Sequence, residues 1–532
     1  MDDDEYLRQA ARLQGLSWNA IQWAFTSTEP YYHPLPRLLH VLDYQTWGSN
    51  PKAHHATSVV LHALNAGLVF GFLWALLGTV ATLTTGERLA VVLGVALVFA
   101  IHPLQVETIA WMAVQTQLLC AAFGIGCLWA HITGANRWVV VALFVAALLS
   151  KPIAVSLPFV MLAMDYFPLR RFERVSLWRL LREKAVLLSL VVTAAVATMT
   201  FESSRGGGLM VSPERISLLQ HVLLTMQSLA FYPWKLVLPI GLAPYYPLSW
   251  GLSLPLPLVL ASTLFVVGVT ILSVYYRRRV PALVAGWGAY VMLVLPVSGL
   301  VQVGAQAVAS RYAYLAVLPL LLLVAGAAVW LWRRCATTAR LVLACLFVCE
   351  LCCLGLSTRC QIPNWHSDET LWRAALVQFP DSAMAQYDLA AALANQGRMQ
   401  EEIEHYEAAL RIDPNIAPAH NNLAVLLAGQ GKQQEAIGHY EEALRINPNY
   451  AAAHHNLAVA LATLGRVQEE IEHYEAALRI DPNNAAAHNN LAVTLAQLGR
   501  KQEAIGHFEE ALRINPDDAE VRSNLAQVAG AQ

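Results

Sequence analysis

The chain has 532 residues, of which 56% are hydrophobic and only 14% are charged. A soluble fold of this length cannot bury so much apolar surface, so the composition predicts a protein that lies in a lipid bilayer. Its 35 Lys and Arg nearly balance its 37 Asp and Glu, which excludes the strongly basic surface typical of nucleic-acid binding. We therefore expect lipid, and no nucleic acid, as a partner.

The chain begins with an acidic segment that includes Asp3 and Asp4. This segment has neither the basic start nor the apolar core of a signal peptide. Two explanations remain open: either the first apolar helix behind the segment translocates it, or the chain lacks an upstream span. We assign residues 1–56 to a first extracytoplasmic loop that carries this acidic motif.

Ten apolar segments that cross or nearly cross a bilayer follow this loop. They are residues 57–80, 88–101, 108–133, 138–150, 153–167, 185–201, 255–276, 281–300, 312–332 and 340–357. The stretch 138–167 can also be read as one span that is broken at Lys151-Pro152. We assign residues 57–357 to an all-α transmembrane bundle of about ten spans.

The positions of Arg and Lys predict the side on which each loop lies, because cytoplasmic loops carry an excess of both. The basic loops include residues 170–184 and 277–279. All of them lie on one side if 138–167 is two spans and 216–250 does not cross. The remaining loops, and everything after residue 357, then lie on the extracytoplasmic side.

The eight cysteines do not form a disulfide framework, because six of them lie inside apolar runs. These six are Cys120, Cys127, Cys345, Cys349, Cys352 and Cys353. We interpret them as small packing residues that are compatible with lipid. No group of Cys and His has the spacing of a structural zinc site, so we expect no metal ligands.

The last third of the chain repeats with a period of 34 residues, which is specific to tetratricopeptide repeats. The period is marked by Pro380, Pro414, Pro448, Pro482 and Pro516. We assign residues 358–380 to a linker helix and residues 381–532 to about four repeats with a partial cap. This pattern predicts an α-solenoid after the transmembrane bundle.

One asparagine recurs at the same place in the first helix of successive repeats. The four are Asn422, Asn456, Asn490 and Asn524. Because an Asn side chain donates and accepts hydrogen bonds at once, an aligned column could bind an extended peptide backbone. We predict that the column binds a protein or peptide acceptor. The alternative, that the column is a structural or solvated feature, remains open.

Ionisable residues stand at the ends of several apolar segments, where their burial is costly and indicates function. Carboxylates lie in the first two outer loops, and cations lie in the later loops. A carboxylate can remove the proton of a hydroxyl that attacks a sugar, and cations can neutralise the phosphate that leaves. Such a reaction does not strictly require a divalent metal. The alternative for Lys151 and Lys235 is that they anchor the chain at the membrane interface.

Motifs along almost the whole chain resemble, in the same order, the transmembrane and tetratricopeptide-repeat O-mannosyltransferases and their bacterial relatives. The motifs are Asp3-Asp4-Glu5-Tyr6, His33-Pro34-Leu35, His54-His55, Leu61-His62-Ala63-Leu64-Asn65, His102-Pro103-Leu104-Gln105-Val106-Glu107, Ser150-Lys151-Pro152, Tyr232 with Lys235 and Pro239, Tyr246-Pro247, Arg311-Tyr312-Ala313-Tyr314 and Trp365. The resemblance implies the C-type glycosyltransferase fold, a polyprenyl-phosphate-linked sugar as donor and a protein hydroxyl as acceptor.

The resemblance also assigns roles to individual residues. It implies that Asp3 or Asp4 is the catalytic base, and that Glu107 is a second acid near the site. It further implies that four residues bind the donor phosphate: Lys151, Lys235, Arg311 and His102. A bacterial inner membrane is the implied location.

The sequence departs from this family at Gln117 and Ser310, where relatives often carry an acid, and it begins at a motif that a further span usually precedes. Two functions follow. The first is a membrane glycosyltransferase that moves a sugar, mannose being one candidate, from polyprenyl phosphate to Ser or Thr of an acceptor bound by the repeats. The second is a catalytically inactive, membrane-anchored repeat scaffold for protein–protein interaction.

Overall fold

The computed structural model describes residues 15–27, 32–80, 82–204, 216–300 and 306–530. These residues form 26 α-helices and two short strands, which confirms the predicted all-α class. The chain divides into two compact units, Met1–Phe379 and Pro380–Gln532. We refer to them as the N-terminal unit and the C-terminal unit, and each is described separately.

The N-terminal unit contains seventeen helices among the residues that the structure describes. They are α1 (Trp18–Thr26), α2 (Pro34–Trp47), α3 (Pro51–Gly78), α4 (Thr85–Ile101), α5 (Val106–Ala110), α6 (Gln115–Ile132), α7 (Arg137–Ser150), α8 (Leu157–Tyr166), α9 (Leu177–Glu183), α10 (Ala185–Ser204), α11 (Leu218–Val237), α12 (Leu248–Leu252), α13 (Leu256–Tyr275), α14 (Pro281–Val294), α15 (Ala313–Arg334), α16 (Thr337–Gln361) and α17 (Asp368–Gln378). Strands β1 (Tyr246–Pro247) and β2 (Gln306–Val308) pair antiparallel.

Every one of the ten predicted apolar segments contains a helix. Five helical stretches are long and apolar enough to cross a membrane: Pro51–Gly78, Met112–Ile132, Leu256–Tyr275, Ser310–Arg334 and Thr337–Trp365. A sixth candidate is Thr85–Ile101, which continues into Pro103–Ala110 after a bend of 52°. Four apolar helices are shorter: Arg137–Ser150, Pro152–Tyr166, Ala185–Thr198 and Pro281–Val297. The protein is therefore an integral membrane protein, whereas the count of ten spans stays a prediction.

The first of these helices begins at Pro51, six residues before the predicted start of the span. Asn50 caps it, because the Asn50 side chain accepts a hydrogen bond from the Lys52 N–H at 3.1 Å. Pro51 occupies the first helical position, where a missing N–H costs nothing. The first turns contain Lys52, His54 and His55, so hydrophobicity alone could not locate the start of this helix.

Two apolar helices end at a predicted site residue that is followed by proline. α4 ends before His102-Pro103, and α7 ends before Lys151-Pro152. A residue that precedes proline avoids the helical conformation, and both residues are extended, with ψ values of 135° for His102 and 133° for Lys151. Each proline then starts a short 3-10 turn. The prolines thus place a polar residue at a helix end.

A buried polar cluster joins several apolar helices of the N-terminal unit. The Tyr314 hydroxyl lies 2.7 Å from His62 Nδ1 and accepts a hydrogen bond from Asn65 Nδ2 at 3.1 Å. Asn65 also donates to the Leu118 carbonyl at 3.0 Å. These contacts connect α3 to α6 and α15. His62 and Asn65 therefore form hydrogen bonds between helices, as polar side chains commonly do inside membrane bundles.

The C-terminal unit consists of helix pairs followed by a final helix. The helices are α18 (Ala383–Ala394), α19 (Met399–Ile412), α20 (Ala417–Gly429), α21 (Gln433–Ile446), α22 (Ala451–Thr463), α23 (Val467–Ile480), α24 (Ala485–Gln497), α25 (Lys501–Ile514) and α26 (Ala519–Gly530). The turn within each pair contains a glycine with positive φ, for example +80° at Gly431. Glycine adopts this conformation without a steric penalty. The predicted repeat solenoid is confirmed.

Candidate functional site

The candidate site is built around an ion pair between Glu107 and Arg311. α5 carries Glu107, and a 3-10 turn that precedes α15 carries Arg311. The Arg311 guanidinium forms an ion pair with Glu107 Oε1, and the Arg311 backbone N–H donates to Glu107 Oε2 at 3.1 Å. Arg311 also donates to the Gln306 side-chain oxygen at 3.1 Å. Glu107 is 2% exposed, so the carboxylate is buried with its partner.

Aromatic rings enclose the guanidinium of Arg311. Its Cζ lies 5.2 Å from the centre of the Trp111 ring and 4.9 Å from that of Tyr312. Arginine over an aromatic face is attracted by the ring quadrupole. Tyr232, which donates to the Ala309 carbonyl at 3.2 Å, fixes the backbone just before Arg311. The arrangement orders the guanidinium at the end of an apolar helix.

Lys151 lies within electrostatic reach of both members of the ion pair. Burial, followed by the positive charge of Arg311, lowers the pKa of Lys151 to about 8, while Glu107 acts in the opposite direction. An amine with a pKa of about 8 is still mostly protonated at pH 7. The structure therefore brings together one carboxylate and two cations, in a setting where a further anion would be favoured.

Two other predicted phosphate ligands use their polar atoms on the backbone. His102 Nδ1 accepts a hydrogen bond from the Leu104 N–H at 3.2 Å, and its Nε2 lies 3.1 Å from the Leu236 carbonyl oxygen. Lys235 Nζ donates to the carbonyls of Ile240 and Gly241 at 2.5 and 3.3 Å. Among the described residues, neither side chain hydrogen bonds to the Glu107–Arg311 pair. Lys235 thus stabilises a local turn, whereas His102 joins the turn at Pro103 to the end of α11.

Asp3 and Asp4 lie outside the described residues. The described part of the first loop carries another buried carboxylate, Asp43, on α2. Asp43 accepts hydrogen bonds from Thr57 at 2.9 Å and from Gln115 at 3.4 Å. Burial raises the pKa of Asp43.

Asp43 was not among the site residues predicted from the sequence, although the sequence contains a signal for it. Arg37, His40 and Asp43 follow one another at three-residue spacing, which places them on one face of α2. All three are buried. A buried polar face on a loop helix indicates packing against a polar environment, so this stripe could have been identified as a candidate.

The described part of the first loop also reaches Lys151. Burial lowers the pKa of His33 to about 3, and the charge of Lys151 is the next largest cause, ahead of Arg37 and His40. Burial, with the nearby positive charges as smaller causes, keeps the His33 imidazole neutral. His33, which directly precedes α2, therefore lies within electrostatic range of Lys151.

An apolar cavity of about 470 Å³ lies inside the bundle, between helices α3, α4, α6, α8, α14 and α15. Its size falls in the ~300–1,000 Å³ range typical of ligand pockets. Leu157, Leu293 and Leu315 line both this cavity and a pocket of about 10 Å³ that is also lined by Gln117 and Tyr312. The apolar cavity thus extends toward the region of Arg311.

The predicted asparagine column makes contacts between neighbouring repeats. Asn456 donates to Asn421 at 3.0 Å, and Asn524 donates to Asn489 at 3.3 Å. Asn422 donates to the Tyr406 hydroxyl at 3.1 Å, and Asn490 accepts from Asn489 at 3.4 Å. The four column residues are half-buried. Their side chains therefore help to order the stacked repeats while part of their surface stays accessible.

Among the residues that the structure describes, no group of three or more His, Cys, Asp or Glu side chains could hold a metal ion.

Fold and site together define a polytopic helical membrane protein that carries tetratricopeptide repeats. Residues 381–449, 421–485 and 471–519 match models described as tetratricopeptide repeat. The chain is also similar to two human proteins, which confirms the resemblance inferred from the motifs. Protein O-mannosyl-transferase TMTC4 of Homo sapiens is 25% identical over 429 residues, which cover 70% of this chain and 57% of the relative.

Protein O-mannosyl-transferase TMTC1 of Homo sapiens is 26% identical over 220 residues, which cover 39% of this chain and 24% of the relative. The matches thus span little more than half of one curated relative and about a quarter of the other. A solved structure of pilF from Pseudomonas aeruginosa is 22% identical and covers 31% of this chain and 74% of its own, with a TM-score of 0.29.

Proposed function

We propose that this protein is a membrane glycosyltransferase that moves a sugar from a polyprenyl-phosphate donor to a Ser or Thr hydroxyl of a protein acceptor. The observation that carries the proposal is the buried Glu107–Arg311 pair, with Lys151 within electrostatic range of it, at the ends of apolar helices. The two human relatives that carry the name protein O-mannosyl-transferase support this class of reaction and make mannose the first sugar to test.

The two cations suit the phosphate of the donor. In the reaction the acceptor oxygen bonds to the anomeric carbon of the sugar, and the bond from that carbon to the phosphate oxygen breaks. Negative charge then develops on polyprenyl phosphate, where Arg311 and protonated Lys151 stabilise it. Glu107 orients the Arg311 guanidinium through two contacts, from the side chain and the backbone. The sequence requires no divalent metal for this step.

A base must accept the proton of the acceptor hydroxyl. We assign this role to Asp3 or Asp4, on the resemblance of the acidic motif to that of the O-mannosyltransferases. Positioned general bases typically contribute ~10² to 10⁴ in rate. Two features support the assignment: the same loop continues into α2, and His33 just before α2 is within electrostatic reach of Lys151.

The apolar cavity suits the lipid part of the donor. A polyprenyl chain is a branched hydrocarbon, and each CH₂ that it buries contributes ~0.8 kcal/mol. The cavity is lined almost entirely by apolar side chains, and its shared residues Leu157, Leu293 and Leu315 lead toward the pocket at Tyr312. A donor with its phosphate at Arg311 would place its chain there. We expect undecaprenyl phosphate or a similar long polyprenyl phosphate as the carrier.

The repeats supply the acceptor site in this proposal. Half-buried Asn422, Asn456, Asn490 and Asn524 present amide groups that can bind an extended peptide without reading its side chains. The excess of Arg and Lys in the alternate loops supports an extracytoplasmic position of the repeats. A bacterial inner membrane, in which polyprenyl-linked sugars face that side, is the setting we propose.

The test is transfer of radiolabelled mannose from undecaprenyl-phosphate mannose to a Ser/Thr-rich peptide, in membranes that contain the full chain. We expect transfer by the wild type, a loss of at least ~10² in rate for Asp3→Asn with Asp4→Asn, and wild-type rates for Arg340→Ala. Arg340 is half-buried in the first turn of α16 and donates to the Trp332 carbonyl at 2.9 Å. Absence of transfer with every polyprenyl-linked sugar tried would favour the inactive scaffold.

A further inference from the structure

Three aromatic residues mark the connector, which we define as residues 362–379 between α16 and the repeats. They are Trp365, Trp372 and Phe379, and each follows the previous one by seven residues. Trp365 ends a 3-10 turn, Trp372 lies on α17, and Phe379 follows the end of that helix. The three rings therefore come from three successive parts of the connector.

The second and third rings pack on the β1 region. Trp372 lies 5.5 Å from Tyr245, and Phe379 lies 5.6 Å from both Tyr246 and Trp250, measured between ring centres. Edge-to-face and tilted ring pairs at such distances are favourable beyond the area that they bury. These contacts fix the connector against the β1 region within the N-terminal unit.

The first ring, that of Trp365, lies against a residue of the candidate site. Trp365 stacks with Trp111 at 6.4 Å between ring centres, with an angle of 29° between their planes. Trp111 in turn faces the Arg311 guanidinium at 5.2 Å, and its backbone N–H donates to the Glu107 carbonyl at 3.2 Å. Trp111 is therefore in contact with Trp365 and with both members of the ion pair.

We propose that Trp365 is a positioning residue that acts on Arg311 through Trp111. The inference rests on the proposed function, because it assigns a consequence for donor-phosphate binding to a residue outside the site. Trp365 limits the orientations of the Trp111 ring, and the Trp111 ring limits those of the guanidinium. The connector leads directly into the repeats at Pro380, so the donor site becomes sensitive to the segment that carries them.

The first experiment is a double-mutant cycle on the binding of undecaprenyl phosphate to the full chain in detergent. Trp365→Ala and Trp111→Ala should each weaken binding about 3- to 30-fold, the range expected for a lost cation–π contact. The double variant should bind no more weakly than Trp111→Ala alone, because Trp365 acts only through that ring. Trp365→Phe should restore most of the affinity.

The matched control is Trp138→Ala. Trp138 also faces an arginine, with the Cζ of Arg137 4.9 Å from its ring centre, but it stands at the start of α7 and is 58% exposed. The Trp138→Ala variant should bind undecaprenyl phosphate as the wild type does. Wild-type binding by Trp365→Ala would overturn the proposal. The proposal would also be overturned if the double variant lost affinity by the product of the fold-losses of the two single variants.

A second cycle needs no ligand and separates this proposal from the transfer reaction. The melting temperature is measured for Trp365→Ala, Arg311→Ala and their combination. If Trp365 orders Arg311, the two changes in stability will not add, and Trp365→Phe will lie close to the wild type. Additive changes would overturn the positioning role. A chain that neither binds the lipid nor transfers sugar contradicts the proposed function. In that case the stability cycle still shows whether Trp365 orders Arg311.

Discussion

Glu107 and Arg311 are 204 residues apart in the sequence and form a buried ion pair that also includes the Arg311 backbone N–H. The side chains are 3% and 13% exposed. Removal of one member of such a pair leaves an uncompensated charge and typically costs ~3–5 kcal/mol, whereas removal of both is often nearly neutral. The pair therefore allows stability and function to be separated by mutation.

The first prediction uses this separation. Glu107→Ala should lower the melting temperature of the detergent-solubilised chain, because Arg311 stays buried without its partner. Glu107→Ala with Arg311→Met should recover most of that stability, yet should not transfer sugar, since the guanidinium is absent. Circular dichroism and the transfer assay measure the two effects. A double variant as unstable as Glu107→Ala would show that the pair does not act as a unit.

The second prediction concerns the cavity in the bundle. A side chain at Gly326 would enter the cavity, and a Cβ there meets no atom within 4 Å. Gly326→Leu should raise the KM for a long-chain undecaprenyl donor about tenfold, since ~0.8 kcal/mol is lost for each excluded CH₂. The KM for a short citronellyl donor should change little, because that chain does not fill the cavity.

Gly268 provides the control for this substitution. A Cβ at Gly268 also meets no atom within 4 Å, and Gly268 lies on α13 rather than in the cavity lining. Both substitutions raise helix propensity by the same amount, so a general effect of Gly→Leu will show in both variants. Equal KM values for the long donor in the two variants would exclude the cavity as the site of the chain.

The third prediction concerns histidine pairs in the repeats. His420 and His439 contact each other through their Nδ1 atoms at 2.9 Å, and the pairs His454–His473 and His488–His507 repeat this geometry. Burial first, and then the charge of the paired histidine, lowers the pKa of His439 and the equivalent His473 and His507. The folded repeats therefore favour neutral imidazoles.

The sign of the pH effect follows from linkage. The unfolded histidines have a pKa of ~6.5. Below that pH the unfolded state binds more protons than the folded state, so stability falls as the pH is lowered toward the depressed folded values. Above it the pairs contribute no pH dependence. Thermal unfolding of residues 380–532 should therefore show a melting temperature that decreases between pH 7.5 and 5.5.

The first repeat supplies a matched variant for this test. Gln386 takes the place of the first histidine and contacts His405 Nδ1 at 2.6 Å. His420→Gln with His454→Gln and His488→Gln copies that arrangement and removes the paired charge. The melting temperature of this variant should depend less on pH than that of the wild type. An unchanged pH dependence would mean that the paired histidines do not cause the shift.

The fold could largely be predicted because its signals are local. The period of 34 and the apolar segments are visible within short windows, and Lys151-Pro152 ends a helix by steric rules alone. The contacts of the site are not local. Trp111 lies among residues that come from distant parts of the chain, so spacing could not identify it.

The positions of Glu107 and Arg311 illustrate the same difference. Their placement in one site came from a family resemblance, since no periodicity relates residues 204 positions apart. For His102 and Lys235 the sequence indicated polar residues near helix ends. It could not show that the ring nitrogens of His102 and the Nζ of Lys235 contact backbone groups. Such contacts depend on how the loops fold over one another.

The central claim is that Arg311 and Lys151 bind the phosphate of a polyprenyl donor. Equilibrium binding of radiolabelled undecaprenyl phosphate to the full chain tests it most directly, for the wild type, Arg311→Ala, Lys151→Met and the control Arg340→Ala. We predict that each of the first two variants binds at least about tenfold more weakly, because hydrogen bonds to charged groups contribute ~1.5–3 kcal/mol, and that Arg340→Ala binds as the wild type does. Equal affinity in all four proteins would contradict the account.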